Sequence, residues 1–232
     1  MRIPKTALTA ILFVVILAGA APLSAAEFQF GLTFSPGLPR GEFRDNQDRT
    51  IWGGTMSLAF RPSRSPLLIG MAVSFGTYDT DRWETWLGLT DPDVLMDVRT
   101  SNDLVAWSVF LRLQPERGFL RPYLDVFAGL HVLTTDTRFG DGDDEGDGSF
   151  HFNNASDTAF AFGAGAGVQF PLFRILRRDR RIAGSIDLDF GVRYAKGGRA
   201  DYLIESGTSG VFDERSSRTD LLTLSAGLSF SF

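Results

Sequence analysis

Apolar residues alternate with small or polar ones along extended stretches of this 232-residue chain. The last stretch shows the pattern most plainly, because every second residue from Leu222 to Phe232 is apolar and the residues between are Thr, Ser or Gly. Successive side chains of a β-strand point to opposite faces, so this stretch predicts a strand with one apolar and one small polar face. The terminal aromatic residue is typical of a strand whose apolar face meets lipid and whose last ring lies at the membrane interface.

The same alternation predicts seven further strands, which makes eight in all. An even number of strands of about ten residues is the sequence signature of a transmembrane barrel. We therefore expect an all-β fold, an eight-stranded antiparallel up-and-down transmembrane β-barrel. The composition alone would also allow a soluble all-β domain. The predicted strands are 27–34, 50–60, 67–78, 103–113, 123–133, 158–170, 185–194 and 222–232.

The connections between these strands alternate in length. Those after the second, fourth and sixth strands are shorter, and the other four are long: 35–49, 79–102, 134–157 and 195–218. Short periplasmic turns and long extracellular loops are typical of outer-membrane barrels. Arginine is concentrated in the short turns, where we expect it near the phospholipid head groups of the inner leaflet. These residues are Arg61, Arg64, Arg117, Arg121, Arg174, Arg177, Arg178, Arg180 and Arg181.

The first 26 residues have the pattern of a cleaved signal peptide. Arg2 and Lys5 precede an apolar run, and small residues follow it, so we expect cleavage between Ala26 and Glu27. The predicted domains are thus a signal peptide over 1–26 and one barrel domain over 27–232. We expect export to the bacterial outer membrane. The chain has no cysteine, which rules out disulfides, thiolate metal sites and cysteine nucleophiles.

Five charged residues fall on the inward face of the predicted strands: Arg112, Asp125, Asp187, Asp189 and Arg193. Charges inside a narrow barrel are costly unless they are paired. We therefore expect a lumen charge network of ion pairs that fills the interior and stiffens the barrel. A small gated pore is the alternative, although an eight-stranded interior is only wide enough for side chains to fill it.

The connection after the fifth strand contains an acidic stretch between residues 140 and 148. Its carboxylates are separated by glycines, and such groups can surround a hard cation such as calcium. The stretch does not match the helix–loop–helix calcium pattern. We expect either a solvated loop tip or a weak divalent cation site that could bridge to lipopolysaccharide phosphates, and no other cofactor. The candidate ligands are Asp141, Asp143, Asp144, Glu145 and Asp147.

Catalysis is not expected. The chain has two histidines, His131 and His151, and a nucleophilic triad needs a base within hydrogen-bond reach of its nucleophile. No serine can be placed beside His131 on an adjoining strand. Aromatic residues near strand ends are expected to form an interfacial girdle. They are Trp52, Trp107, Tyr123, Phe170, Tyr194, Phe230 and Phe232.

The signal peptide, strands such as Pro122–Leu130 and the ending Leu228–Phe232 together resemble the OmpA/OmpX-like family of small outer-membrane β-barrels over the whole mature chain. The ending is similar to the carboxy-terminal signal that the outer-membrane assembly machinery recognises in this family. The resemblance implies a structural, adhesive or host-interaction protein, and sometimes a small pore. Lipid A-modifying barrels of this size have sites based on His and Ser. His131 is followed by Val132 and Leu133 rather than by the serine of such a deacylase.

The expected partners follow from this reading. They are outer-membrane lipids and lipopolysaccharide, the assembly machinery, and an extracellular ligand or host surface bound by the loops. The chain carries a net charge of −5 and has no basic cluster on its predicted strands, so nucleic-acid binding is not expected. We expect a monomer.

Overall fold

The computed structural model describes residues 27–46, 49–62, 65–86, 95–140, 150–176, 182–205 and 212–232. These residues form eleven strands and the short helix α1 (Glu42–Asn46). No helix in this part of the chain is long and apolar enough to cross a membrane. The strands are β1 (Glu27–Phe34), β2 (Gly37–Pro39), β3 (Trp52–Arg61), β4 (Leu67–Trp86), β5 (Leu95–Leu113), β6 (Arg121–Gly140), β7 (Phe150–Leu176), β8 (Ile182–Gly197), β9 (Arg199–Glu205), β10 (Phe212–Arg218) and β11 (Leu221–Ser231).

Eight of the described strands close into an antiparallel barrel. The order around the wall is β1, β3, β4, β5, β6, β7, β8 and β11, and β1 pairs with β11 to complete the ring. At this closing pair Phe30 lies opposite Phe230. The backbone amides of Phe28 and Phe232 each donate to the carbonyl oxygen of the other, at 2.9 and 3.0 Å. The predicted eight-stranded antiparallel barrel is confirmed.

The outer surface of the barrel is apolar, and its interior is rich in polar and charged side chains. Leu124, Val126 and Phe160 are 63%, 56% and 58% exposed, whereas Asp125, between two of them, is 2% exposed. A barrel in water would bury the apolar set, because removing apolar surface from water drives folding. Hydrocarbon instead requires an apolar exterior and a closed wall without an unpaired edge. The barrel is therefore a transmembrane one.

Four wall strands continue beyond the barrel at one end, which we call the mouth end. β4 and β5 stay paired as far as Trp86 and Leu95, and β6 and β7 as far as Phe139 and Phe150. β5 and β6 are also paired along this stretch. The four strands therefore form one continuous extension, which we call the tall sheet.

The connections from β1 to β3 and from β8 to β11 are long, but all four predicted long loops contain strands where the structure describes them. Strands occupy 79–86 and 95–102, and also 134–140 and 150–157. The predicted loop 195–218 contains the end of β8 and a separate hairpin of β9 and β10. Beyond the apolar surface neither face of a strand meets lipid, so the sequence there lacks the alternation by which strands were identified.

The segment between β1 and β3 folds back into the mouth of the barrel. β2 pairs with β11, and Gly37 and Ile51 exchange two backbone hydrogen bonds of 2.8 Å. Helix α1 then places Phe43 at 0% exposure in an apolar layer. This layer closes the mouth end of the interior. The other members of the layer are Ile51, Leu104, Leu133, Ala159, Ala195, Ala200 and Leu221.

Candidate functional site

The middle of the lumen contains a carboxylate held between two guanidinium groups. Asp125 on β6 lies opposite Arg112 of β5 in the strand register, and Arg112 Nη2 donates to Asp125 Oδ2 at 3.1 Å. Arg193 on β8 donates to the same oxygen through Nη2 at 2.8 Å. Three wall strands are thus joined through one carboxylate. Charge-assisted bonds of this kind are stronger than neutral ones.

Arg112 also stacks on an aromatic ring inside the barrel. Its guanidinium carbon lies 3.7 Å from the centroid of the Tyr123 ring, a favourable cation–π geometry. The Tyr123 hydroxyl donates to Asp189 Oδ1 at 2.8 Å, and Arg112 Nη1 lies 3.6 Å from Asp189 Oδ2. Arg112 is therefore paired with two carboxylates and supported by a ring, which compensates for its burial.

Gln169 connects this middle level to the next one towards the short turns. Its side chain is fully buried. Its Oε1 accepts hydrogen bonds from Gln29 Nε2 at 3.0 Å and from Gln114 Nε2 at 2.7 Å. Its Nε2 donates to Asp189 Oδ2 at 2.7 Å. One amide thus links β7 to β1, β8 and the residue that follows β5, because an inward position allows it to reach across the narrow interior.

Two further ion pairs close the short-turn end of the lumen. Arg121 Nη2 contacts Asp187 Oδ2, and Ser185 Oγ donates to the same carboxylate at 3.0 Å. Arg61 Nε lies 3.2 Å from Glu27 Oε2. Arg61 and Arg121 are 2% and 7% exposed. The prediction that these two arginines lie near lipid head groups is therefore wrong, because both side chains turn into the barrel.

The lumen ion pairs balance one another in charge. They join the guanidinium groups of Arg61, Arg112, Arg121 and Arg193 to the carboxylates of Glu27, Asp125, Asp187 and Asp189. An unpaired buried charge costs several kcal/mol. A balanced set, with glutamine amides and hydroxyls as additional partners, can fill a narrow interior without that cost.

The structure places all five residues of the expected lumen charge network on the inner wall. It joins Arg112, Asp125 and Arg193 directly, and Arg112 to Asp189. Asp187 is bound instead by Arg121, which sequence reasoning had assigned to a turn. Sequence reasoning also missed Glu27, Gln29, Arg61 and Gln114. Glu27 and Gln29 lie within the predicted first strand, on the face opposite Phe28 and Phe30. Continuing the alternation by one residue past the second and fourth strands places Arg61 and Gln114 inside the barrel as well.

Tyr123 is a second correction. The sequence prediction placed it in the interfacial girdle, but its side chain is 6% exposed inside the lumen. Tyr123 and Asp125 are two residues apart on the same strand, so their side chains share one face, and that face points into the barrel. Trp52 and Phe232, by contrast, are exposed on the outside at 60% and 65%. For the residues other than Tyr123, the interfacial girdle stays a prediction.

Glycines beside the lumen make room for Tyr123, and one of them supplies a test of the packing. A Cβ at Gly191 would lie 2.5 Å from Tyr123 Oη and 2.8 Å from Ser225 Oγ. We expect Gly191→Ala to lower the free energy of unfolding by about 1–3 kcal/mol, as overpacking does. The penalty should be smaller in a Tyr123→Phe background, which lacks the closer atom. Urea unfolding of all four proteins measures the coupling, and equal penalties in both backgrounds would contradict this packing.

Of the candidate catalytic and metal-binding residues, only His131 has a side chain that the structure describes. His131 is buried at 5% exposure. Its cross-strand neighbours are Ala106 and Ala159, neither of which is a nucleophile. The described residues contain no group of three His, Cys, Asp or Glu that could hold a metal ion. The acidic stretch Asp141–Asp147 lies outside them, and the structure describes only the backbone of His151.

Comparison with known proteins gives matches among solved structures only. Neither the family models nor the curated protein sequences give a match. The Neisserial surface protein A is 12% identical, with 90% of this chain and 96% of that chain covered and a TM-score of 0.43. A major outer membrane protein of Thermus thermophilus is 17% identical, with 90% and 100% covered and a TM-score of 0.43.

A third match is an outer membrane protease, OmpT of Escherichia coli. It is 7% identical, with 91% of this chain and 97% of that chain covered and a TM-score of 0.32. The matched structures thus include both a surface protein and a protease. At these identities and TM-scores, the assignment of the fold depends on the strand order, the pairing of β1 with β11 and the apolar outer surface around a polar interior, all described above.

Proposed function

We propose that this chain is an integral protein of the bacterial outer membrane with a structural and surface-interaction role, carried by the tall sheet at its mouth end and without catalysis. The observation that supports this role most directly is that the interior is filled. The lumen ion pairs occupy its middle and short-turn end, and the layer around Phe43 occupies its mouth. The surface outside the membrane is therefore the part of the protein that is left to bind other macromolecules.

The tall sheet has features of a recognition surface. β3 pairs with β4 only as far as Trp52 and Thr77, while β4 continues to Trp86 paired with β5. Within the described residues, the stretch 79–86 therefore has a partner strand on one side only. An edge of this kind offers unpaired backbone groups to an extended segment of another molecule. An extracellular ligand or host surface is the partner class that we infer.

The proposed location determines the remaining partners. Outer-membrane lipids surround the apolar surface, and lipopolysaccharide in the outer leaflet contacts the part of that surface nearest the mouth end. The assembly machinery inserts the chain after removal of residues 1–26. We propose a monomer, because the barrel closes on itself through the β1–β11 pair and so needs no second copy to complete its wall. The acidic stretch Asp141–Asp147 remains a proposed weak divalent cation site.

Photo-crosslinking on intact cells tests the recognition role. A photoreactive residue replaces Arg82 on the tall sheet, and the matched control replaces Leu111 on the lipid-facing surface of β5, which is 46% exposed. The proposal predicts adducts with an extracellular macromolecule from position 82 and only lipid adducts from position 111. The same lipid-only result at positions 80, 82 and 84 would contradict it.

A pore function is the main rival, and it predicts a different result in planar bilayers. We expect no discrete conductance from the folded protein, because Gln169, Asp187 and Leu68 are fully buried and Phe43 closes the mouth. Single-channel recording at neutral pH measures this. Reproducible unitary steps from heat-modifiable, folded protein would establish a pore instead. For a lipid A-modifying enzyme, overexpression and deletion would change the lipid A mass spectrum, and we expect no change.

A further inference from the structure

Hydroxyl groups cover part of the inner wall between the lumen ion pairs and the layer around Phe43. Ser57 is four residues from Arg61 on β3, and Ser108 is four residues from Arg112 on β5. Each of these serines therefore shares the inward face of its strand, and the register continues this surface onto the neighbouring strands. We call it the hydroxyl wall: Thr33, Thr55, Ser57, Ser74, Ser108 and Ser225.

The side chains of the hydroxyl wall are only half-buried, although they face the interior. The outer surface contributes almost nothing to this exposure, because Ala72 and Ala161 also face inward between apolar outer residues and are 2% exposed. The hydroxyl wall therefore borders a space inside the barrel, which we call the recess. It lies between two levels that side chains fill, so it does not cross the barrel as a pore. An eight-stranded interior can hold one small ligand in this way.

Phe110 and Arg193 form the border of the recess towards the lumen ion pairs. Phe110 is the next inward residue of β5 after Ser108, and its ring fills the place beside Gly70, where a Cβ would lie 2.5 Å from the Phe110 Cζ. The Arg193 guanidinium carbon lies 5.1 Å from the centroid of this ring. Arg193 donates to Asp125 through Nε and Nη2, and its side chain keeps 22% exposure. Part of the guanidinium group is therefore available to a ligand.

Several hydroxyl groups of the recess are open to a ligand. Within the described part of the chain, Ser57, Ser108 and Ser225 make no side-chain hydrogen bond, whereas the hydroxyls of Thr55 and Ser74 lie 2.7 Å apart. A hydroxyl both donates and accepts, and a polar group out of water costs free energy unless it has a partner. The lumen ion pairs are balanced in charge, so the recess favours an ion of neither sign. The complementary ligand is neutral and carries several hydroxyl groups.

We propose that the recess binds a small neutral polyol of monosaccharide size. The ligand enters from the mouth end, because Gln169 and Asp187 are fully buried and close the other end. Phe43 and α1 cover this entry, so exchange of the ligand requires α1 to move. This binding is separate from recognition at the tall sheet, and neither depends on the other.

Thiol labelling of the full barrel tests the proposal, because the chain has no cysteine. Ser57→Cys and Ser108→Cys report on the recess, and Ser229→Cys is the matched inward-facing control, since Ser229 is 1% exposed. Each protein is treated in lipid vesicles with a small neutral methanethiosulfonate, and intact mass gives the labelling rate. Heat-modifiable gel mobility confirms that each variant is folded. The recess cysteines should react at least about tenfold faster than the control, which reacts only after local opening.

Glucose and ribose are the probes of binding. At about 100 mM, well above a millimolar dissociation constant, at least one of them should slow labelling of both recess cysteines about tenfold or more. Ser225→Ala should raise the concentration for half-protection about three- to tenfold, the effect of one hydrogen bond. Phe43→Ala should speed labelling. Recess cysteines that react no faster than Ser229→Cys would overturn the proposal by showing that the recess is closed. Labelling that neither sugar slows would overturn it by showing that the recess holds only water.

Discussion

Replacing Asp125 with alanine is expected to lower the free energy of unfolding by about 3–5 kcal/mol, the usual cost of removing one partner from a buried ion pair. Asp125 accepts from both Arg112 and Arg193, so its loss weakens the pairing of two guanidinium groups at once. Arg112 keeps its contact with Asp189, whereas Asp125 is the carboxylate bound to Arg193. We therefore expect most of the lost stability to come from Arg193, which loses this carboxylate.

Urea unfolding of the lipid-reconstituted protein, followed by tryptophan fluorescence, measures this cost. Asp103→Ala is the matched control, because Asp103 accepts a hydrogen bond from Thr77 at an exposed position, and it should cost less than about 1 kcal/mol. Removing Arg193 as well, as Arg193→Gln, should recover part of the loss, since the unpaired charge is then gone. Equal effects of Asp125→Ala and Asp103→Ala would show that the lumen ion pairs do not stabilise the barrel.

Phe43→Ala is expected to cost about 3–5 kcal/mol, the range for a fully buried Phe. Phe43 is 0% exposed and is the only residue of α1 that is buried in the apolar layer. A five-residue helix has little stability of its own, so the segment from β2 to α1 depends on this ring for its position. Without it, the mouth end of the lumen should become accessible to water.

The same urea titration measures the effect of Phe43→Ala. Phe75→Ala on the lipid-facing surface serves as the control and should cost less, because it leaves no cavity in a packed layer. Limited proteolysis should also cut within 37–46 faster in Phe43→Ala than in the unchanged protein. Unchanged proteolysis together with a cost no larger than that of Phe75→Ala would contradict the role assigned to this ring.

The sequence predicted the parts of this fold that lie within the membrane, because one face of each strand there meets lipid and the other meets the polar interior of the barrel. Phe160, Phe162 and Ala164 alternate with inward-facing Ala161 and Gly163, and the structure pairs them as a wall strand. Asp125 and Arg112 were placed inside on the same basis. The alternation of apolar and small or polar residues is a local property, so a single sequence is enough to identify it.

The parts that the sequence did not predict depend on contacts between distant residues or lie where both strand faces meet water. Residues 79–86 contain polar and aromatic residues in no regular alternation, so they were assigned to a loop. Arg61 and Arg121 looked like turn residues because they follow or precede a strand. Their partners Glu27 and Asp187 are far away in the chain, and no local pattern indicates such a pair.

Spin labelling most directly tests the central claim, which is that the barrel spans the membrane with its apolar outer surface in contact with lipid. The chain has no cysteine, so single cysteines at Leu124, Phe162 and Leu228 can carry labels on three different wall strands, with Arg44 as a label exposed at the mouth. In lipid vesicles the account predicts strong relaxation by oxygen and little by a water-soluble nickel complex at the three wall positions, and the reverse at Arg44. Nickel accessibility at the wall positions equal to that at Arg44 would show that this surface meets water, and would contradict the account.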